Sequence, residues 1–136
     1  MGLPIDVAQT NGSEERSAKR ILILDDNPNL SYMYTQALGQ AGHQVSSAKT
    51  IQEARELLAN CDFDVFVANT HIDARDSGVE LLREQIARFA RSGTKIIMMS
   101  SYERYQSMCQ EIGADVAVER PLAIHRLIAL TNRLTV

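Results

Sequence analysis

Four apolar residues, Ile21, Leu22, Ile23 and Leu24, run directly into two carboxylates, Asp25 and Asp26, and then into Asn27 and Pro28. A continuous apolar run of this length, ended abruptly by charge, reads as a strand buried on both faces of a parallel sheet, its carboxyl end open to solvent. Adjacent acids at such an end repel one another unless something cationic sits between them, so the local chemistry asks for a metal ion or a basic side chain. The plainer alternative is a solvated strand-to-helix turn in which one Asp caps the helix.

The pattern continues in the same form. After Pro28, Leu30, Tyr34, Ala37 and Ala41 recur at helical spacing up to Gly42. Residues 43–48 alternate, as an edge strand does. Thr50 with Glu53 has the form of a capping box, and Ile51, Ala54, Leu57 and Leu58 give the helix behind it an apolar stripe. Val65, Phe66, Val67 and Ala68 form a second buried run, ended by Asn69, Thr70 and His71. A loop through Asp73, Asp76 and Gly78 enters a helix with Val79, Leu82, Ile86 and Phe89 on one face, closed by Gly93. The run at 96–99 ends in Ser100 and Ser101, and a helix follows over 102–112. A short strand at 116–118 meets Glu119, Arg120 and Pro121, and a last helix buries Ile124, Leu127, Ile128 and Leu134. Five strands alternating with five helices predict an α/β fold, a doubly wound five-stranded parallel sheet of flavodoxin-like type. With strand order 2-1-3-4-5, the polar exits Asp25, Asp26, Asn69, Ser100 and Arg120 converge on one crevice at the carboxyl ends of the strands.

Composition bounds the rest. The 136 residues suit one domain, here 19–136 behind a polar, flexible leader over 1–18. No apolar stretch nears the roughly 20 residues of a membrane span, and no secretory signal opens the chain, which predicts a cytoplasmic protein. Cys61 and Cys109 lack CxxC spacing and read as buried or idle thiols. A net charge of −3 supplies no basic face for nucleic acid.

The acidic pair after ILIL, the DVFVAN strand, Gly78 at the third helix, IIMMSS, Gly113-Ala114-Asp115 and a basic residue before Pro121 form an ordered set. Over about residues 19–134 this set resembles the receiver domain of bacterial response regulators, CheY-like proteins of two-component signal transduction and phosphorelays. The resemblance implies that Asp25 and Asp26 match two acids that hold magnesium, and that Ser100 matches a hydroxyl contacting a phosphoryl group. The phosphoacceptor position falls on Asn69, the lysine position on Arg120, and the switch aromatic on Ala117. An amide is a very poor nucleophile beside a carboxylate, so phosphorylation at Asn69 is not expected. Two acids, an amide and one Arg sum to about −1, against about −2 for the family's set, so magnesium binding should be weak or absent. Arg120 could reach Asp25 or Asp26 and occupy the ion's place.

His71 reads as a surface loop residue at the position where the family's backbone carbonyl meets the metal, and Thr70 and Asp73 as poor substitutes for the acceptor. The resemblance implies a degenerate receiver, not an enzyme, working by protein–protein contact. Its partners would be a histidine kinase, a phosphotransfer protein or an effector, with a homodimer as a further use. One face is that of the fourth helix, fifth strand and fifth helix, with Glu103, Arg104, Gln106, Ser107, Glu119 and His125; the first helix is the other. With no output domain after Val136, the effector is expected to be a partner unless the chain is a fragment. A competing class, phosphatases resembling the haloacid-dehalogenase type with Asp25 as nucleophile, needs a second acid where Asn27 stands. Nucleotide or flavin binding would need a glycine-rich first turn that is missing here.

Overall fold

The computed structural model describes residues 18–136, so the leader expected over residues 1–18 lies, apart from Ala18, outside the described residues. The chain alternates β1 (Arg20–Leu24), α1 (Pro28–Gln40), β2 (Gln44–Ala48), α2 (Ile51–Asn60) and β3 (Val65–Asn69). It continues through α3 (Ser77–Ser92), β4 (Lys95–Ser100), α4 (Glu103–Ile112), β5 (Val116–Glu119) and α5 (Ile124–Leu134). All strand pairs are parallel, and the sheet runs β2-β1-β3-β4-β5. This is the predicted doubly wound, flavodoxin-like order.

Period-two alternation divides β1 between two cores. Leu22 and Leu24 pack with Ala54, Leu58, Val79, Leu82, Phe89 and Cys109, contributed by α2, α3 and α4. Ile21 and Ile23 pack on the opposite face with Tyr34, Leu38, Leu127 and Leu130, from α1 and α5. Burial on both faces is what makes β1, β3 and β4 near-continuous apolar runs. Edge strand β2 is wetter, as its alternation predicts.

The boundaries have local causes. Asn27, not an aspartate, caps α1, its side chain accepting from the amides of Asn29 and Leu30. Thr50 caps α2 through the Glu53 amide, while the Glu53 carboxylate returns to the Lys49 amide rather than to that of Thr50. Gly93 ends α3 at φ 76°, a left-handed conformation that glycine adopts without steric cost. Cys109 is a buried thiol, pushed up to about 11 by burial, and Cys61 is partly exposed.

At the amino end of the sheet, His43 accepts the Lys19 amide at Nδ1 over 3.1 Å. Burial holds its pKa below the ordinary histidine value, partly offset by a bond with the Asn132 side chain. The unfolded chain therefore takes up this proton first. Stability is expected to hold above about pH 6.5 and to decline as pH falls through that value. His43→Gln should flatten that part of the slope in urea unfolding. An unchanged pH dependence in the variant would show that His43 does not carry it.

Candidate functional site

The carboxyl ends of β1, β3, β4 and β5 bring the predicted residues to one end of the sheet, in the register Leu24 beside Ala68, Asn69 beside Met99 and Ser100 beside Glu119. Asp25 is fully buried, and Arg120 closes on it as a two-pronged donor: Nη2 to Oδ1 at 2.9 Å and Nε to Oδ2 at 3.4 Å. The Asn27 amide also donates to Asp25 Oδ1, at 2.9 Å. With the Asp25 side chain 0% exposed and that of Arg120 22% exposed, the pair is shielded from water on the carboxylate side. Such a pair is held by complementary geometry, and either member left alone would be an uncompensated buried charge.

Asp26 takes a different partner. Its Oδ2 accepts the Asp73 amide at 2.8 Å. Asp73 and Ala74 both have left-handed φ, 56° and 60°, in a turn closed by two bonds between Ile72 and Arg75 of 2.9 and 3.1 Å. L-residues adopt that conformation at a cost, which the closing bonds and the Asp26 contact offset.

Asn69 is 5% exposed and turns to its own loop, Nδ2 donating to the His71 carbonyl at 2.7 Å and Oδ1 accepting the His71 amide at 3.3 Å. An aspartate could not make the first of these bonds, because an ionised carboxylate has no donor. The close seating of α3 supports the loop: the Gly78 amide donates to the Thr70 carbonyl at 2.9 Å. The clamp aims the His71 ring at α4. His71 is half-buried, its ring centroid 4.7 Å from Tyr105 in edge geometry and 5.3 Å from Tyr102. This corrects the reading of His71 as a surface residue: aromatic packing draws it inward.

Ser100 also turns away from Asn69, Oγ accepting the Tyr102 amide at 3.1 Å. The Ser100 carbonyl accepts both the Gln106 side chain, at 2.9 Å, and the Arg120 amide, at 3.2 Å. Gln106, expected on the contact face, is thus drawn back to β4, whereas Glu103, Arg104, Ser107, Glu119 and His125 are exposed. Ala117 is half-buried and packs against the core with Tyr105, an aromatic from α4 where the resemblance places one on β5.

Tyr34 is the site residue that sequence reasoning missed. Its helical spacing marked it as inward-facing, but its hydroxyl donates to the Leu122 carbonyl at 2.7 Å and accepts the Leu122 amide at 3.0 Å. A buried phenol needs a polar partner, and that rule was the available signal. Burial pushes its pKa up, opposed by the bond to Leu122; Asp25 raises it further and Arg120 lowers it.

Among the described residues, no cluster of three or more His, Cys, Asp or Glu side chains is arranged to hold a metal ion. Of the oxygens that the resemblance would assign to magnesium, both of Asp25 are held by Arg120, Asp26 Oδ2 accepts the Asp73 amide and the His71 carbonyl accepts the Asn69 side chain. To use Asp25 in this arrangement, an ion would have to displace Arg120. Also among the described residues, no helix is long and apolar enough to cross a membrane.

Comparison with known proteins places this geometry in a family. The sequence model of the response regulator receiver domain matches residues 21–132. Response regulator protein PilR of Pseudomonas aeruginosa is 28% identical over 113 residues, which is 82% of this chain and 25% of PilR. The chain thus spans about a quarter of the length of that curated relative. Among solved structures, the receiver domain of Francisella response regulator 1452 superposes with TM-score 0.75 at 24% identity, covering 86% of this chain and 96% of that one. A CheY-like receiver domain protein from Methanospirillum hungatei gives 0.74 at 28% identity, covering 87% and 94%.

Proposed function

We propose that this chain, which belongs to the response regulator receiver domain family, is a degenerate receiver. Receivers of this family serve two-component signal transduction. In this reading the chain signals by protein–protein contact, is not switched by aspartyl phosphorylation, and is not an enzyme. The observation that carries the reading is the self-satisfied pocket: Arg120 holds Asp25, the Asp73 amide holds Asp26, and the Asn69 amide holds the His71 carbonyl.

An acceptor aspartate is replaced by an amide, and the place of a cation is taken by a guanidinium on the chain itself. Magnesium binding at Asp25 and Asp26 is therefore weak or absent. Asp25 as a phosphatase nucleophile is less well supported, because both of its oxygens are engaged and the side chain is buried. Contacts with a histidine kinase, a phosphotransfer protein, an effector or a second copy would use the α4–β5–α5 face, with Glu103, Arg104, Ser107, Glu119 and His125, or the outer side of α1. That side of α1 exposes Tyr32 and Met33, and the helix carries no charged residue. Neither nucleic acid nor membrane is a direct partner in this reading, which places the receiver unit at 19–136 in the cytoplasm.

Acetyl phosphate with magnesium is expected to leave the intact mass unchanged. Asn69→Asp alone should restore little response, since Arg120 and Ala117 remain and the donor to the His71 carbonyl is lost. Addition of a phosphoryl group to the unaltered chain would contradict the proposal, as would a strong phosphorylation-linked spectral change in Asn69→Asp.

A further inference from the structure

We infer that Tyr34 is the positioning residue of the Arg120–Asp25 pair. Its hydroxyl is bonded to both backbone groups of Leu122, two residues beyond Arg120, and so ties the turn between β5 and α5 to α1. On the other side of Arg120, its own amide donates to the Ser100 carbonyl of β4 at 3.2 Å. The backbone that carries the guanidinium is thus held from two elements, β4 and α1. Tyr34 and Leu122 are 0% and 3% exposed, so water cannot substitute for the phenol at either bond.

An arginine side chain has many rotamers to give up, and a two-pronged contact with a buried carboxylate tolerates little drift at its base. Holding the base is what lets Arg120 keep Asp25 occupied. Alternatives elsewhere on the molecule carry less. The groove beside α1 lined by Leu30, Met33, Leu122 and Ile124 has about 620 Å³ of space, but nothing in the structure shows what covers it. The contact of Arg20 with Cys61 at 3.2 Å is a lone thiol with no ligand beside it.

This inference rests on the reading of Arg120 as the replacement for the ion, and the test separates the two. Mn2+ binding is measured by electron paramagnetic resonance on the unaltered chain, Arg120→Met, Tyr34→Phe and Thr94→Val, with folding checked by circular dichroism. Thr94→Val removes another buried hydroxyl, bonded to the Phe63 carbonyl at 2.7 Å at the far end of the sheet. Arg120→Met should bind Mn2+ most tightly. Tyr34→Phe should gain about tenfold in affinity over the unaltered chain, on the scale of one lost hydrogen-bonding restraint. Thr94→Val should gain nothing.

No gain in Arg120→Met would overturn the underlying reading itself. A gain there with none in Tyr34→Phe, or an equal gain in Thr94→Val, would overturn only the role of Tyr34. An unfolded Tyr34→Phe chain beside a folded Arg120→Met chain would also overturn it, because the hydroxyl would then be a requirement of the fold at Leu122 and not of the Arg120–Asp25 pair.

Discussion

Replacing Arg120 with methionine is expected to destabilise the folded chain by about 3–5 kcal/mol at neutral pH, the usual cost of leaving one member of a buried ion pair behind. Asp25 has no exposure through which water could solvate its charge. The Asn27 amide would be its remaining bonded partner, and one neutral donor does not replace a guanidinium. The variant should recover part of the loss when divalent metal is added, because the freed Asp25 carboxylate becomes a ligand. Arg120→Lys should cost less, since it keeps the charge and loses only the planar fork. Urea unfolding of the three proteins, with and without magnesium, reads both effects. Equal stability of Arg120→Met and the parent would show that the pair contributes nothing.

Gly78→Ala should be nearly as damaging for a different reason. A Cβ built at Gly78 meets the Asn69 carbonyl in direct overlap and lies 2.9 Å from both Thr70 Cα and the Thr70 carbonyl oxygen. Those neighbours are backbone and cannot rotate away, so either α3 or the end of β3 must move. Overpacking of this kind costs about 1–3 kcal/mol, and more where backbone is the obstacle. The displaced segment carries Asn69, so its clamp on His71 should loosen as well. A variant of unchanged melting temperature, with the His71 ring signals unshifted in NMR spectra, would contradict this packing.

Much of the fold was legible because β1, β3 and β4 are short apolar runs closed by charged, amide or hydroxyl side chains, and each helix carries a 3.6-residue stripe. The alternation of Ile21 and Ile23 with Leu22 and Leu24 even divides the two cores. The meeting of Arg120 with one of the acids was legible too, since a guanidinium and a carboxylate pair brought to one crevice have few other ways to be satisfied. What stayed hidden depends on partners far apart in sequence. Tyr34 and Leu122 are joined across 88 residues, and nothing local to either reveals the bond. His71 looked like a loop residue because the rings that hold it, Tyr102 and Tyr105, come from another element. Gln106 looked exposed because helical periodicity does not show that its amide reaches back to Ser100.

The most direct test of a pocket satisfied by its own side chains is a magnesium titration of the unaltered chain, read as melting temperature. A site with a Kd of about 1 mM would, at about 10 mM ion, stabilise the fold by roughly 1.4 kcal/mol and raise the melting temperature by several degrees. The proposal expects no such rise, because Arg120 already bonds both oxygens of Asp25. A clear saturable rise in the unaltered chain would mean that Asp25 and Asp26 still hold a cation, and would contradict the assignment of Arg120 as its replacement.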